Sequence, residues 1–177
     1  MTSGPRLIES AALIPVYRDR DGHVRLVLIR RGEGGLHGGH LAFPGGKRDP
    51  DDASMQDTAV REAEEEIGLS RDEIEVLCAL APIDTRTSGF RIYPFLARIK
   101  RPAIWRPCER EVAEVIEVGL QDLAAETSHC PAAVPALSPL EAQRVPFYRV
   151  GPFQLWGASY RILHPLLPRL LAGEWPI

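Results

Sequence analysis

Glu62, Glu64, Glu65 and Glu66 fall within one short run, Arg61 to Leu69, that begins fifteen residues after the pair Gly45-Gly46. On a helix Glu62 and Glu66 are four residues apart and Glu65 is three from Glu62. These three side chains then fan over an arc of about 100°, away from Ala63 and Ile67. Like charges this close repel. Arg61 can pair with Glu65 at i,i+4, but one guanidinium cannot neutralise three carboxylates. Hard divalent cations solve the problem, because Mg²⁺ takes a few carboxylates together with waters and substrate phosphates. The glycines add a second element, since they let main-chain groups approach a metal or a phosphate closely. Alone, a glutamate-rich helix is a solvated face and a glycine pair is a turn. At this spacing the two together point to a metal and phosphate site.

The elements that must position these groups can be read from the pattern. Ser10–Tyr17 and His23–Arg30 are apolar, branched runs around Asp21-Gly22, which predicts a hairpin. Gly32 to Gly46 contains seven glycines in fifteen residues and reads as loop, with a short strand at Leu41–Phe43. The glutamate helix is expected to start at Ser54, with Asp57 completing a capping box. Met55, Ala59, Val60, Ala63 and Ile67 form its buried stripe, and Gly68 its left-handed cap. Strands are expected at Glu75–Leu80, Arg91–Ile99 and Ala113–Val118, then a short helix at Leu120–Ala125. Three prolines make Glu126–Ala142 an irregular connection. Val145–Tyr148 and Phe153–Trp156 read as a second hairpin. Ala158–Leu171 reads as a terminal helix distorted by Pro165 and Pro168. The whole is an α/β protein, a sandwich with a helix on each side of a mixed sheet, in one domain over residues 1–177.

Composition narrows the partners. A net charge of −3 gives no global electrostatic case for a nucleic acid polymer, so an anionic substrate must be met locally. Cys78, Cys108 and Cys130 are widely spaced and suggest free thiols in a reducing compartment. No apolar run approaches membrane-spanning length, and Ala11–Val16 lacks a basic leader and a cleavage site. No membrane partner is therefore expected, and the cytoplasm is the expected location. The oligomeric state stays open, a homodimer included.

The loop–helix unit resembles the Nudix box, G-x5-E-x7-R-E-U-x-E-E-x-G-U, with U a bulky apolar residue. Arg61, Glu62, Glu65, Glu66, Gly68 and Leu69 match its second half, and Ala63 is a small occupant of the first U. The first half departs. Counting back eight from Arg61 reaches Ala53, and the stretch from Gly46 is one residue longer than the pattern. The arginine's usual glutamate partner is absent, or replaced by Asp51, Asp52 or Asp57. Gly45 to Asp52, followed by Asp57 to Ala63, is similar to the version in coenzyme A pyrophosphatases of that family. Arg30, His37 and Gly39 stand before Phe43-Pro44-Gly45-Gly46 as that subfamily's upstream motif does, although Gly32 to Gly35 lacks its serine and apolar residues. Thr87 to Phe90 with Tyr93-Pro94, and Val145 to Tyr148 with Trp156 to Ala158, also agree.

The resemblance implies a Nudix-type α/β/α sandwich with a mixed central sheet and two main helices. It implies hydrolysis of a diphosphate linkage in a small nucleotide substrate. Glu62, Glu65 and Glu66 would ligate Mg²⁺ or Mn²⁺, joined by a carbonyl of Gly45 or Gly46. Arg61 would orient the glutamates. The general base stays open among Glu65, Glu66, Glu111 and Glu114. Arg30, His37, Lys47 and Arg86 are candidate phosphate contacts, while Arg30 and Arg31 could equally just end a strand. Coenzyme A is the leading substrate. ADP-ribose or a nucleoside triphosphate is the runner-up, and a catalytically silent nucleotide-binding module is the reading from another class.

Overall fold

The computed structural model describes residues 7–34, 38–85, 88–133 and 145–177. β1 (Ile8–Arg18) and β2 (Val24–Arg31) form the expected hairpin. Its turn is tied by Asp19, whose Oδ1 accepts the backbone N–H groups of Asp21 and His23 at 3.1 and 2.9 Å. β3 (Leu41–Ala42) and β4 (Gly45–Lys47) follow, then α1 (Met55–Ile67). β5 (Ile74–Ala79), β6 (Ile83–Asp84), β7 (Phe90–Ile99) and β8 (Val112–Gly119) complete the main sheet. The chain then runs through α2 (Leu120–Ala124), β9 (His129–Ala133), β10 (Val145–Val150), β11 (Phe153–Trp156) and α3 (Gly157–Leu171). β1 pairs in parallel with β7 and antiparallel with β2 and β4, so the sheet is mixed. β8 borders β2, and β5 borders β7.

The two helices cover opposite faces of this sheet. Ala11, Leu13, Val27, Ile29, Phe95 and Ala97 pack against Ala59, Ala63 and Ile67 of α1. The alternate residues Ile14, Val16, Leu26, Leu28 and Leu96 pack against Leu163, Leu166, Leu167 and Leu170 of α3. Residues 10–17 of β1 are all buried for that reason. Each fully buried leucine contributes about 1.5–3 kcal/mol. This is the expected α/β sandwich with two main helices. Among the described residues, no helix is long and apolar enough to cross a membrane.

Three local expectations are corrected. Gly45–Lys47, read as loop, is a strand because its backbone pairs Ala12, Ala11 and Ser10 of β1. The connection after α2 is not wholly irregular: His129–Ala133 pairs β10, and a three-stranded sheet β11-β10-β9 replaces the simple hairpin. Pro131 is tolerated there because β9 is an edge strand. Ser54 caps α1 as expected, accepting the Asp57 N–H at 3.1 Å. The Asp57 carboxylate, however, takes the Ser54 hydroxyl at 2.7 Å, so the reciprocal half of the capping box does not form. The expected terminal helix is present as α3, with Pro165 and Pro168 inside it. The carbonyls deprived of partners belong to Arg161 and His164, which lie on the exposed face where water can serve them.

His129, Tyr148, Tyr160 and His164 tie the second sheet to α3. His129 Nε2 lies 2.9 Å from the Tyr160 hydroxyl, and His164 Nδ1 lies 2.8 Å from that of Tyr148. Burial pushes the Tyr148 phenol up to about 12.

Candidate metal and phosphate site

α1 lies along β4 with its glutamate side facing the glycine pair. The geometry demands glycine at both positions. A β-carbon on Gly45 would lie 2.7 Å from the Ala12 Cα, and nearer still to the Ala11 carbonyl oxygen. One on Gly46 would lie 2.5–2.6 Å from all three carboxylate atoms of Glu62. Gly46→Ala is therefore expected to displace the Glu62 carboxylate and leave the fold in place, because the obstacle is the far end of a side chain. Hydrolysis should fall about 10- to 100-fold, with circular dichroism unchanged. Unchanged turnover would separate the Glu62 position from activity.

Glu66 is the most enclosed of the acids, only 1% exposed, and its carboxylate accepts the Gly45 N–H at 2.8 Å. Burial pushes its carboxyl up to about 7, against the Gly45 bond and the Arg31 charge, with Glu62 and Glu111 adding to the rise. Burial likewise raises Glu62, against the pull of Arg61. Glu65 reaches solvent, with 59% of its side chain exposed. Arg61 Nη1 bridges Glu62 and Glu65 at 2.9 and 3.1 Å, the second being the i,i+4 pair that the helix spacing anticipates.

The partner of Arg61 is Asp52. Arg61 Nε and Nη2 donate to its two oxygens at 2.9 and 3.0 Å, and Nη2 also reaches the Lys47 carbonyl at 3.0 Å. Asp52 further accepts the Asp49 N–H and the Thr58 hydroxyl at 2.9 and 2.8 Å. The Arg61 guanidinium holds the Asp52 carboxyl well below the usual carboxylate range. Counted forward from Gly46, five residues precede Asp52, the spacing at which the Nudix box has its first glutamate. The additional residue follows Asp52, on the way to Arg61. Asp57, another candidate, pairs instead with Arg71 at 3.0 Å.

The β7–β8 connection closes the other side. The Cys108 and Arg106 N–H groups donate to the Glu66 and Ile67 carbonyls at 2.9 and 3.3 Å, and Gly32 N–H donates to the Glu111 carbonyl at 2.8 Å. Carbonyls at the end of α1 are thereby satisfied, and Glu111 comes close enough to raise both Glu62 and Glu66. Glu114 pairs with Arg30 across the sheet, Nε to Oε2 3.4 Å. Of the two outer base candidates, Glu111 thus lies in the connection bonded to the end of α1, and Glu114 is taken by Arg30.

Of the four phosphate contacts expected from sequence, Arg30 and Lys47 lie among the described residues, on the face of the sheet away from α1. Arg30 alternates with Leu26 and Leu28 onto the α3 face, where it meets Glu114, Glu33 and the Phe153 ring, 5.5 Å to the centroid. Lys47 sits opposite Ser10 on that same face, with its ammonium 5.8 Å from the Phe90 centroid. Alternation along the strands is the physical cause. His37 and Arg86 lie outside the described residues. Arg31, for which a strand end and a substrate contact stood equal, is on the α1 face, after Val27 and Ile29 and opposite Val112. That alternation was its only signal, and it needs the covered face to be known.

Oxygen donors on one helix, short of cations and beside a glycine backbone, suit a hard divalent ion. Among the described residues, the set of three acids and histidines whose ligand atoms come within 4.8 Å of one another is Asp19, Asp21 and His23. That set is the β1–β2 turn, where Asp19 is already engaged by two backbone N–H groups and by Arg25 at 2.8 Å. Of the α1 glutamates, Glu62 and Glu65 are held by the Arg61 guanidinium and Glu66 by the Gly45 N–H instead.

Comparison with known proteins agrees with this architecture. The family model described as NUDIX domain matches residues 7–137. A protein of Pectobacterium atrosepticum named uncharacterized Nudix hydrolase NudL is 31% identical over 166 residues, covering 88% of this chain and 85% of its own. One of the same name from Yersinia enterocolitica is 39% identical over 114 residues, 64% of this chain and 57% of its own. A MutT/nudix family protein from Enterococcus faecalis superimposes with a TM-score of 0.65 at 20% identity, over 97% of this chain and 65% of its own. The chain belongs to the Nudix family. It is a hydrolase of phosphorus-containing anhydrides acting on small nucleoside diphosphate derivatives, in a family that generally uses divalent metal ions.

Proposed function

We propose that the protein is a Mg²⁺- or Mn²⁺-dependent diphosphatase of coenzyme A or an acyl or oxidised derivative, releasing 3′,5′-ADP and 4′-phosphopantetheine. The observation that carries the catalytic part is the meeting of Glu62 and Glu66 with the Gly45-Gly46 backbone, with Glu111 close by. Glu62, Glu65, Glu66 and the Gly46 carbonyl would hold the ion. A bound divalent ion supplies acidified water and neutralises the leaving oxygen. Arg61, anchored by Asp52, holds the Glu62 and Glu65 carboxylates in place. Glu111 takes the proton of the attacking water, and Glu66 fixes the position of that water. The coenzyme A assignment is supported by the Asp52 variant of the box and by the motifs around Arg30 and Tyr93. We place the enzyme in the cytoplasm, a reading that the free thiols of Cys78, Cys108 and Cys130 support.

The test is mass analysis of the products from coenzyme A in ¹⁸O-water with Mg²⁺ or Mn²⁺. Labelled 3′,5′-ADP or labelled 4′-phosphopantetheine supports the reading and shows which phosphorus is attacked. Cleavage of ADP-ribose without cleavage of coenzyme A rejects the substrate assignment.

A further inference from the structure

We infer that Arg31 is the side chain that binds a phosphate oxygen of the substrate at the α1 glutamates, a role the upstream motif would give to Arg30. The inference rests on the proposed site. It starts from the strand pairing. β2 and β8 stay in step from Arg25↔Gly119 to Arg30↔Glu114, and then Arg31 is opposite Val112, with Ala113 left unpaired. Such a bulge bends the strand that carries the extra residue, here β8, and leaves Arg31 beside Val112, a residue of the α1 face; bulges concentrate beside active sites. Here it lies at the point where the next residue, Gly32, bonds to the Glu111 carbonyl.

Face and partnering complete the case. Arg31 follows Val27 and Ile29 onto the α1 face, and its charge acts on Glu66. Among the described residues Arg31 makes no ion pair and no side-chain hydrogen bond, whereas Arg61 is committed to Asp52, Glu62, Glu65 and the Lys47 carbonyl. Arg30 is engaged with Glu114 and Glu33 on the opposite face. A diphosphate arriving beside four carboxylates meets repulsion, and Arg31 is an uncommitted guanidinium on the strand that borders them. Its planar fork matches two phosphate oxygens at once.

The experiment compares the parent with Arg31→Gln and Arg31→Lys. ADP and adenosine are titrated by calorimetry, in EDTA and in Mg²⁺, and steady-state kinetics are run on the diphosphate that the parent cleaves. For Arg31→Gln, ADP affinity should fall about 10- to 100-fold, with KM rising by a similar factor. Adenosine affinity and thermal midpoint should not move, and Arg31→Lys should recover part of the loss. Equal ADP affinity in parent and Arg31→Gln overturns the assignment. So does equal weakening of ADP and adenosine, or a parent that binds ADP no better than adenosine. A parent that binds ADP through Arg31 yet hydrolyses no diphosphate overturns the proposed function and leaves this contact standing.

Discussion

Replacing Asp52 with alanine should cost about 10- to 100-fold in turnover and about 2 kcal/mol in stability. The Asp52 side chain is only 6% exposed and holds Arg61 through two hydrogen bonds, with further bonds from Asp49 and Thr58. Breaking a fully buried pair costs about 3–5 kcal/mol. Arg61 keeps 26% of its side chain exposed, so solvent screens part of this one and a lower figure applies. The loss in activity arises because Arg61, once released, no longer holds Glu62 and Glu65. The pH dependence has a definite sign. A carboxyl depressed in the folded state stabilises the protein above its unfolded value, here 3.8, and that contribution is lost as pH falls further. Parent and Asp52→Ala should therefore differ in thermal midpoint at neutral pH and converge in strong acid. Turnover equal to the parent's would show that Arg61 is placed by something else.

Glu66→Gln should have the larger effect on chemistry, a loss of about 10²- to 10⁴-fold in turnover. Glutamine has the same shape, and its oxygen can still accept the Gly45 N–H, so the fold should survive. In the metal-free protein the substitution should in fact stabilise. Glu66 is raised from 4.5 to about 7 by burial, so its ionisation opposes folding. Stability is fully present below about pH 4.5 and is lost as pH rises through about 7. At pH 8 that loss is about 3 kcal/mol, and Glu66→Gln removes it. Thermal melts in EDTA should thus show the variant above the parent at pH 8 and level with it at pH 4. A variant less stable than the parent at pH 8 would mean that Glu66 supports the fold rather than a cation.

Much of this site was legible because its signals are local. The fan of Glu62, Glu65 and Glu66 follows from helical spacing alone, and so do the Arg61–Glu65 pair, the Ser54 cap and the Gly68 terminus. The Gly45-Gly46 requirement was visible as a motif, but its cause was not. Gly45 is pressed by the Ala11–Ala12 backbone and Gly46 by the Glu62 carboxylate, both distant in sequence. β9 was missed because an edge strand forms only when β10 is there to pair it.

The glutamates and their helix, from its Ser54 cap to Gly68, were determined by the sequence itself, since periodicity and capping act over a few residues. Three things were decided only by tertiary structure. Asp52 was selected over Asp51 and Asp57 by how the turn after β4 returns to Arg61. Glu114 was turned towards Arg30 by strand alternation, while Glu111 was left in the connection that caps α1. Arg31, unlike Arg30 or Lys47, falls on the α1 side because it follows Val27 and Ile29 along β2 and pairs with Val112. Side-chain direction on a strand depends on which face is covered, and that is a property of the packed layers.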